Sequence, residues 1–95
     1  MGDLTHIVEN VVNGYAVYTF DGVMYAMHDA SKTTFSVIFS GDGEVLPVVL
    51  ARLEHGVVII DRDQTNKPLV DALMQAGVPR EKIILAYAGE SLETA

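Results

Sequence analysis

Three histidines, a pair of aspartates and four serines are the residues in this chain whose chemistry could extend beyond packing. His6, His28 and His55 are spread over the chain with no two close together. Zinc needs three or four ligands converging, usually with two of them at short spacing, so this pattern points away from a metal site. Asp61-Arg62-Asp63 could present two carboxylates to a divalent ion, with His55 as a conceivable third group. The same residues are equally what an exposed turn carries just ahead of a helix, whose N-terminus favours negative charge. A metal-dependent nuclease core would also want a Glu-x-Lys on a following strand, and none occurs. Ser31, Ser36, Ser40 and Ser91 sit outside any Gly-x-Ser-x-Gly elbow. Gly41-Asp-Gly43 lacks the third glycine, the lysine and the helix of a phosphate loop, and reads as a turn. Tyr15, Tyr18, Phe20, Tyr25, Phe35, Phe39 and Tyr87 could stack bases on an open sheet, but such platforms sit among Lys and Arg. The strands here hold almost none, so cross-strand packing is the better account. No catalytic constellation, cofactor site or metal site is expected.

The elements that hold these residues follow from periodicity. Leu4, Ile7, Val8, Val11 and Val12 keep a helical rhythm, with Asp3 or Thr5 as cap and Gly14 as stop. The period then drops to two. Tyr15 to Phe20 and Val23 to His28 flank Asp21-Gly22, a strong signal for a type I′ hairpin. That register would set Phe20 against Val23 and Tyr18 against Tyr25. Thr34 to Ser40 alternates, with Phe35, Val37 and Phe39 inward and Ile38 the exception. Val45 to Leu53 is another strand, in which Pro47 marks a start, a bulge or an edge. His55-Gly56 is a two-residue turn into Val57 to Ile60, and Asp61 to Asn66 a polar turn. Pro68 suits a first helical turn, with Thr65 or Asn66 as cap. Leu69, Val70, Leu73, Met74 and Val78 form its apolar stripe, and Gly77 supplies the left-handed stop before Pro79. Ile83 to Tyr87 reads as a buried strand, and the tail from Gly89 as loose.

These elements add up to an α+β domain spanning residues 1–95: a mostly antiparallel sheet of five to six strands with one main helix on one face. One helix leaves the other face bare and partly apolar, so self-association or a partner is expected. The chain has no cysteine, which excludes disulfides and thiolate sites and suits a cytoplasmic protein. Its opening residues lack the pattern of a signal peptide, and its apolar runs are too short to cross a bilayer. Six basic against thirteen acidic residues give a net charge of −7, which makes direct nucleic-acid binding unfavourable and suits a basic protein partner.

The second half carries more than a fold. From Leu50 the order is strand, Gly turn, strand, Asp- and Thr-bearing turn, helix, Gly-Val-Pro, charged turn, strand. This resembles the XisI-like fdxN-element excision controlling factor family, whose closing motif is Gly-Val-Pro-Lys-Glu-Asp-Ile-Val-Leu-Ala-Phe. Gly77, Val78, Pro79, Glu81, Ile83, Leu85 and Ala86 match it outright, and Arg80 and Tyr87 are near-equivalents. The chain departs from the family in a shortened or missing N-terminal helix, the absence of tryptophan, Asn66-Lys67-Pro68 at the helix entry and the tail AGESLETA. The resemblance implies a non-catalytic accessory factor in site-specific excision of a DNA element, acting beside a nuclease-like or recombinase-associated companion. It carries over no catalytic residue; Gly77, Val78, Pro79, Ile83 and Leu85, with the turns Asp21-Gly22 and His55-Gly56, are structural. The alternative is a small ligand-binding or structural module, itself a dimer.

Overall fold

The structure, a computed structural model, describes residues 3–91. Helix α1 (Leu4–Asn13) starts where Asp3 accepts a hydrogen bond from the His6 amide at 2.8 Å and stops at Gly14. Strands β1 (Tyr18–Thr19), β2 (Gly22–His28), β3 (Thr34–Gly41), β4 (Glu44–Glu54) and β5 (Val57–Asp63) form an antiparallel meander. Helix α2 (Leu69–Gln75) then returns the chain to β6 (Ile83–Leu85), which pairs parallel with β5. The six strands lie in sequence order in one sheet, so the fold is α+β and mostly antiparallel, as expected.

Both helices lie on the same face. Val8 and Val12 of α1 and Leu69 and Leu73 of α2 are buried with Phe35, Val37, Val49, Ala51, Val58, Ile60 and Ile83 in one apolar cluster. Among the described residues no polar or charged one is buried. The core is therefore closed by hydrophobic burial alone, without an internal polar network to satisfy.

The first hairpin departs from expectation. Tyr18 faces Val23 and Thr19 faces Gly22, so the connecting residues are Phe20 and Asp21. Neither of these, nor Gly22, has a positive φ. Gly22 is instead inside β2, where a Cβ would lie 2.4 Å from the Ser40 carbonyl oxygen and 2.8 Å from the Phe39 ring. The glycine serves close strand approach rather than turn geometry. The primed turns are elsewhere: Asp42-Gly43 and His55-Gly56 both have positive φ at both positions (50° and 77°, 53° and 78°). That conformation matches the right-handed twist of the flanking strands.

Pro47 sits next to a bulge, one of its three expected settings. Val37 faces Val49 while Ile38 faces Pro47, leaving Val48 as the extra residue. β3 itself keeps its alternation, and Ile38 is simply an apolar residue on the outer face, facing Tyr25 on one side and Pro47 on the other. A second irregularity, opposite Leu50 and Ala51, makes Asp61 the extra residue of β5. Asp61 to Asp63 thus belong to a strand and not to the polar turn expected there, because Leu50 and Val49 continue to pair with Arg62 and Asp63.

At the other end, β6 is shorter than expected. Ala86–Ala88 form a 3₁₀ turn, and Gly89 (φ 92°) ends it. Tyr87 is consequently about half exposed instead of lying in the sheet. Met74, expected in the stripe of α2, is also largely exposed; Ala72 takes its place in the interior.

Candidate functional site

The two aspartates that could have done chemistry are each committed to a structural partner, backbone for one and an arginine for the other. Asp63, at the end of β5, reaches over the start of α2. One oxygen accepts from the Thr65 amide (3.0 Å) and hydroxyl (2.6 Å), and the other from the Leu69 amide. A remote carboxylate thus caps a helix that has no cap of its own at Pro68. Thr65, expected with Asn66 as one of two candidate caps, instead places its single hydroxyl proton between the Asp63 carboxylate and the Lys67 carbonyl. Asp61 instead pairs with Arg52 at 2.8 Å, and Arg52 also contacts Glu54. The two carboxylates of Asp61-Arg62-Asp63 are therefore turned to separate tasks, and His55 sits in the β4–β5 turn. Among the described residues no group of three or more His, Asp or Glu converges as metal ligands do.

Other polar groups follow the same rule. Asp29 accepts from the amides of Thr33 (2.8 Å) and Thr34 (3.0 Å) and from the Thr33 hydroxyl, closing the β2–β3 loop. These bonds, the Thr34 amide first, hold its carboxyl below the usual range. Glu90 accepts from the Leu85 amide and from Arg80, which likewise lower its pKa. The chain after β6 is thus fastened at Glu90, contrary to a loose tail from Gly89; residues 92–95 lie outside those described. Arg80 donates as well to the Ile83 carbonyl, so the Gly77-Val78-Pro79 stop and β6 are tied together. Gly77 takes φ 105°, Val78 is buried, and the Val78 amide donates back to Leu73 at 3.0 Å.

Two surfaces remain. A cleft of about 470 Å³ opens between the end of α1, α2 and the β5–α2 connection, lined by Asn10, Tyr15, Met24, Thr65, Lys67 and Gln75 among others. Tyr15 spans it, donating its hydroxyl to the Lys67 carbonyl at 2.5 Å. Burial, and then the nearby Asp63 charge, raise the Tyr15 pKa. The tyrosine remains a neutral donor tying the two helical segments.

The second surface is the sheet face opposite the helices. Register places Tyr25, Ile38 and Pro47 in one row across it, with Met27, Ser36 and Leu50 in the next and Val23, Ser40 and Val45 on the other side. Tyr25, Met27 and Val45 are 51%, 55% and 72% exposed. Towards β5 and β6 the face is closed: Ile59 and Ile84 are buried there, and Arg52, across from Ile59, carries its Glu54 and Asp61 partners. The apolar half thus brings the exposed Tyr25, Met27 and Val45 onto one face with Ile38, Pro47 and Leu50 between them. No signal for this patch lay in single residues. It follows from counting helices against faces.

Known proteins fit this architecture. No curated protein matches the chain. Among solved structures, a XisI-like protein from Anabaena variabilis ATCC 29413 superposes with a TM-score of 0.71 at 22% identity, over 85% of this chain and 81% of that one. The fdxN element excision controlling factor XisI from the same organism superposes with a TM-score of 0.65 at 20% identity, over 87% and 88%. Such low identities speak to the fold. The sequence itself matches the XisI protein family across residues 3–94, and by that match the chain belongs to the XisI family.

Proposed function

We propose that this protein is a non-catalytic accessory factor in the control of site-specific DNA excision, acting by holding a protein companion against its bare sheet face. The observation that carries the reading is the apolar half of that face, with Tyr25, Met27 and Val45 half exposed or more. Membership of the XisI family and the likeness to a structure described as an excision controlling factor supply the process. The acidic side chains support the absence of catalysis, since Asp29, Asp61, Asp63 and Glu90 are each spent on backbone or arginine partners. A net charge of −7 favours a companion that is basic around an apolar centre, and disfavours direct contact with phosphate.

The test is binding to the nuclease-like or recombinase-associated product of a neighbouring gene. Val45→Asp should weaken that binding at least about tenfold while leaving the melting temperature nearly unchanged, because Val45 lies outside the core. Unchanged affinity in the variant, or nucleic-acid turnover by the purified chain, would remove the reading. The cleft beside Tyr15 favours one other reading, a small-molecule binding module. A ligand retained in native mass spectrometry, and lost on Gln75→Trp, would establish it instead.

A further inference from the structure

We propose that two copies of this chain join edge to edge through β2, making one continuous sheet of both molecules. The observation is an unfinished edge. β1 covers only the beginning of β2, pairing at Gly22 and Val23, and the Met24 amide donates to Val17 at 2.8 Å. Beyond Met24 the chain of β1 has already left the sheet, and Tyr15 is anchored on Lys67 in the β5–α2 connection. The Met24 amide points away from β3, so by the alternation of a strand the Ala26 and His28 amides point the same way. No described residue pairs with them on that side.

Natural edges are normally protected by lysine, proline, a bulge or an inward charge. Residues 24–28, Met-Tyr-Ala-Met-His, hold none of these devices in the strand itself, and the charges nearest it, Glu9 of α1 beside His28 and Lys32 of the following loop, pair with each other. The segment is also self-complementary. In an antiparallel pairing centred on Ala26, Tyr25 faces Met27 of the second copy and Met24 faces its His28. Each flanking position then sets a methionine sulfur against an aromatic ring, a favourable contact. Ala26 meets Ala26, the small residue on the two-fold axis. That axis runs perpendicular to the sheet, so both helical layers stay on one side and both bare faces merge on the other. A foreign strand could use the same hydrogen bonds, but only a second copy supplies this palindrome. The closed two-fold also leaves no further β2 edge exposed.

Two chains of charge −7 repel each other, so the association should tighten as salt screens the repulsion. The expected result in sedimentation equilibrium is a dimer of the full chain whose dissociation constant falls with added salt. Met27→Lys, on an exposed side chain, should raise that constant at least about tenfold by placing a charge on the edge. Ala26→Pro, which removes an outward donor without touching the bonds to β3, should do the same. Register is read separately, since the chain has no cysteine of its own. Facing residues in such a pair have Cα atoms about 4.5 Å apart, within disulfide reach. Mixing Tyr25→Cys with Met27→Cys chains should therefore yield oxidised heterodimers in excess of either homodimer.

A monomer at every concentration and salt would overturn the proposal. So would a dimer indifferent to Met27→Lys and Ala26→Pro, or one in which mixed Tyr25→Cys and Met27→Cys chains give no excess of the heterodimer. The excision reading survives each of these outcomes, because it is measured by companion binding to Val45→Asp and not by self-association.

Discussion

Asp63 shows how much one side chain decides here. Its carboxylate receives three hydrogen bonds and stands in for the cap that Pro68 cannot provide. Asp63→Ala should lower stability by about 1–2 kcal/mol in urea unfolding, the usual range for a lost cap. Asp61→Asn, removing a solvent-exposed pair with Arg52, should cost no more than about 1 kcal/mol. Two aspartates separated by one residue would then differ for a reason visible only in their partners. The pH dependence follows from Asp29 and Glu90, whose carboxyls are held below their unfolded values. A depressed folded pKa contributes stability that is fully present above the unfolded value. It is lost as pH falls through the folded one. Stability should therefore be level near neutrality and decline once pH drops below about 4, the ordinary carboxylate range. Asp29→Asn and Glu90→Gln together should flatten that decline in melting curves recorded across acid pH.

Glycines and stripes at the level of strands and helices separate what was legible from what was not. Asp42-Gly43 and His55-Gly56 obey hairpin chemistry, whereas Asp21-Gly22 has the same composition and a different job. The dipeptide cannot reveal which, because the constraint on Gly22 comes from Phe39 and Ser40, far along the chain. Gly22→Ala should accordingly cost more than Gly43→Asn. The first adds a Cβ against backbone and ring, and the second keeps a residue that tolerates the left-handed region, with open space around it. Comparing their thermal midpoints decides the point. Along α2, Leu73 is fully buried and Met74 is 44% exposed. Leu73→Ala should lose about 2–5 kcal/mol and Met74→Ala no more than about 0.5 kcal/mol. Both residues fit the apolar stripe, and only the entry of Leu73 into the cluster that holds Val58 and Ile60 distinguishes them. The Gly77-Val78-Pro79 stop was readable because it is local: positive φ, buried valine and a barred continuation all lie within three residues. The length of β6 was not, since the 3₁₀ turn at Ala86–Ala88 depends on Glu90 folding back to Leu85.

Taken as one body, the molecule places both helices on one side of six strands and leaves the β2–β4 part of the other side open, with Ile59 and Ile84 buried beyond it. The apolar half of that side was legible only as a shortage, too few helices for two faces. Its residues Tyr25, Ile38 and Val45 come together through register and a bulge that no local pattern announces. Charge and cysteine content, by contrast, are whole-chain quantities and read directly. No described helix is long and apolar enough to cross a membrane. The parallel joint between β5 and β6 has one more effect, on timing. Five strands of the meander contact their sequence neighbours, and such nearby pairings form early. β6 must wait until α2 has docked and carried the chain across, so Val58 and Ile60 stay unguarded until the last step. Ile83→Ala should then hasten unfolding in stopped-flow traces and barely slow refolding, while Val37→Ala slows refolding. A nascent chain released before residue 83 would be left with a raw hydrophobic seam, and quality-control proteases should clear it quickly.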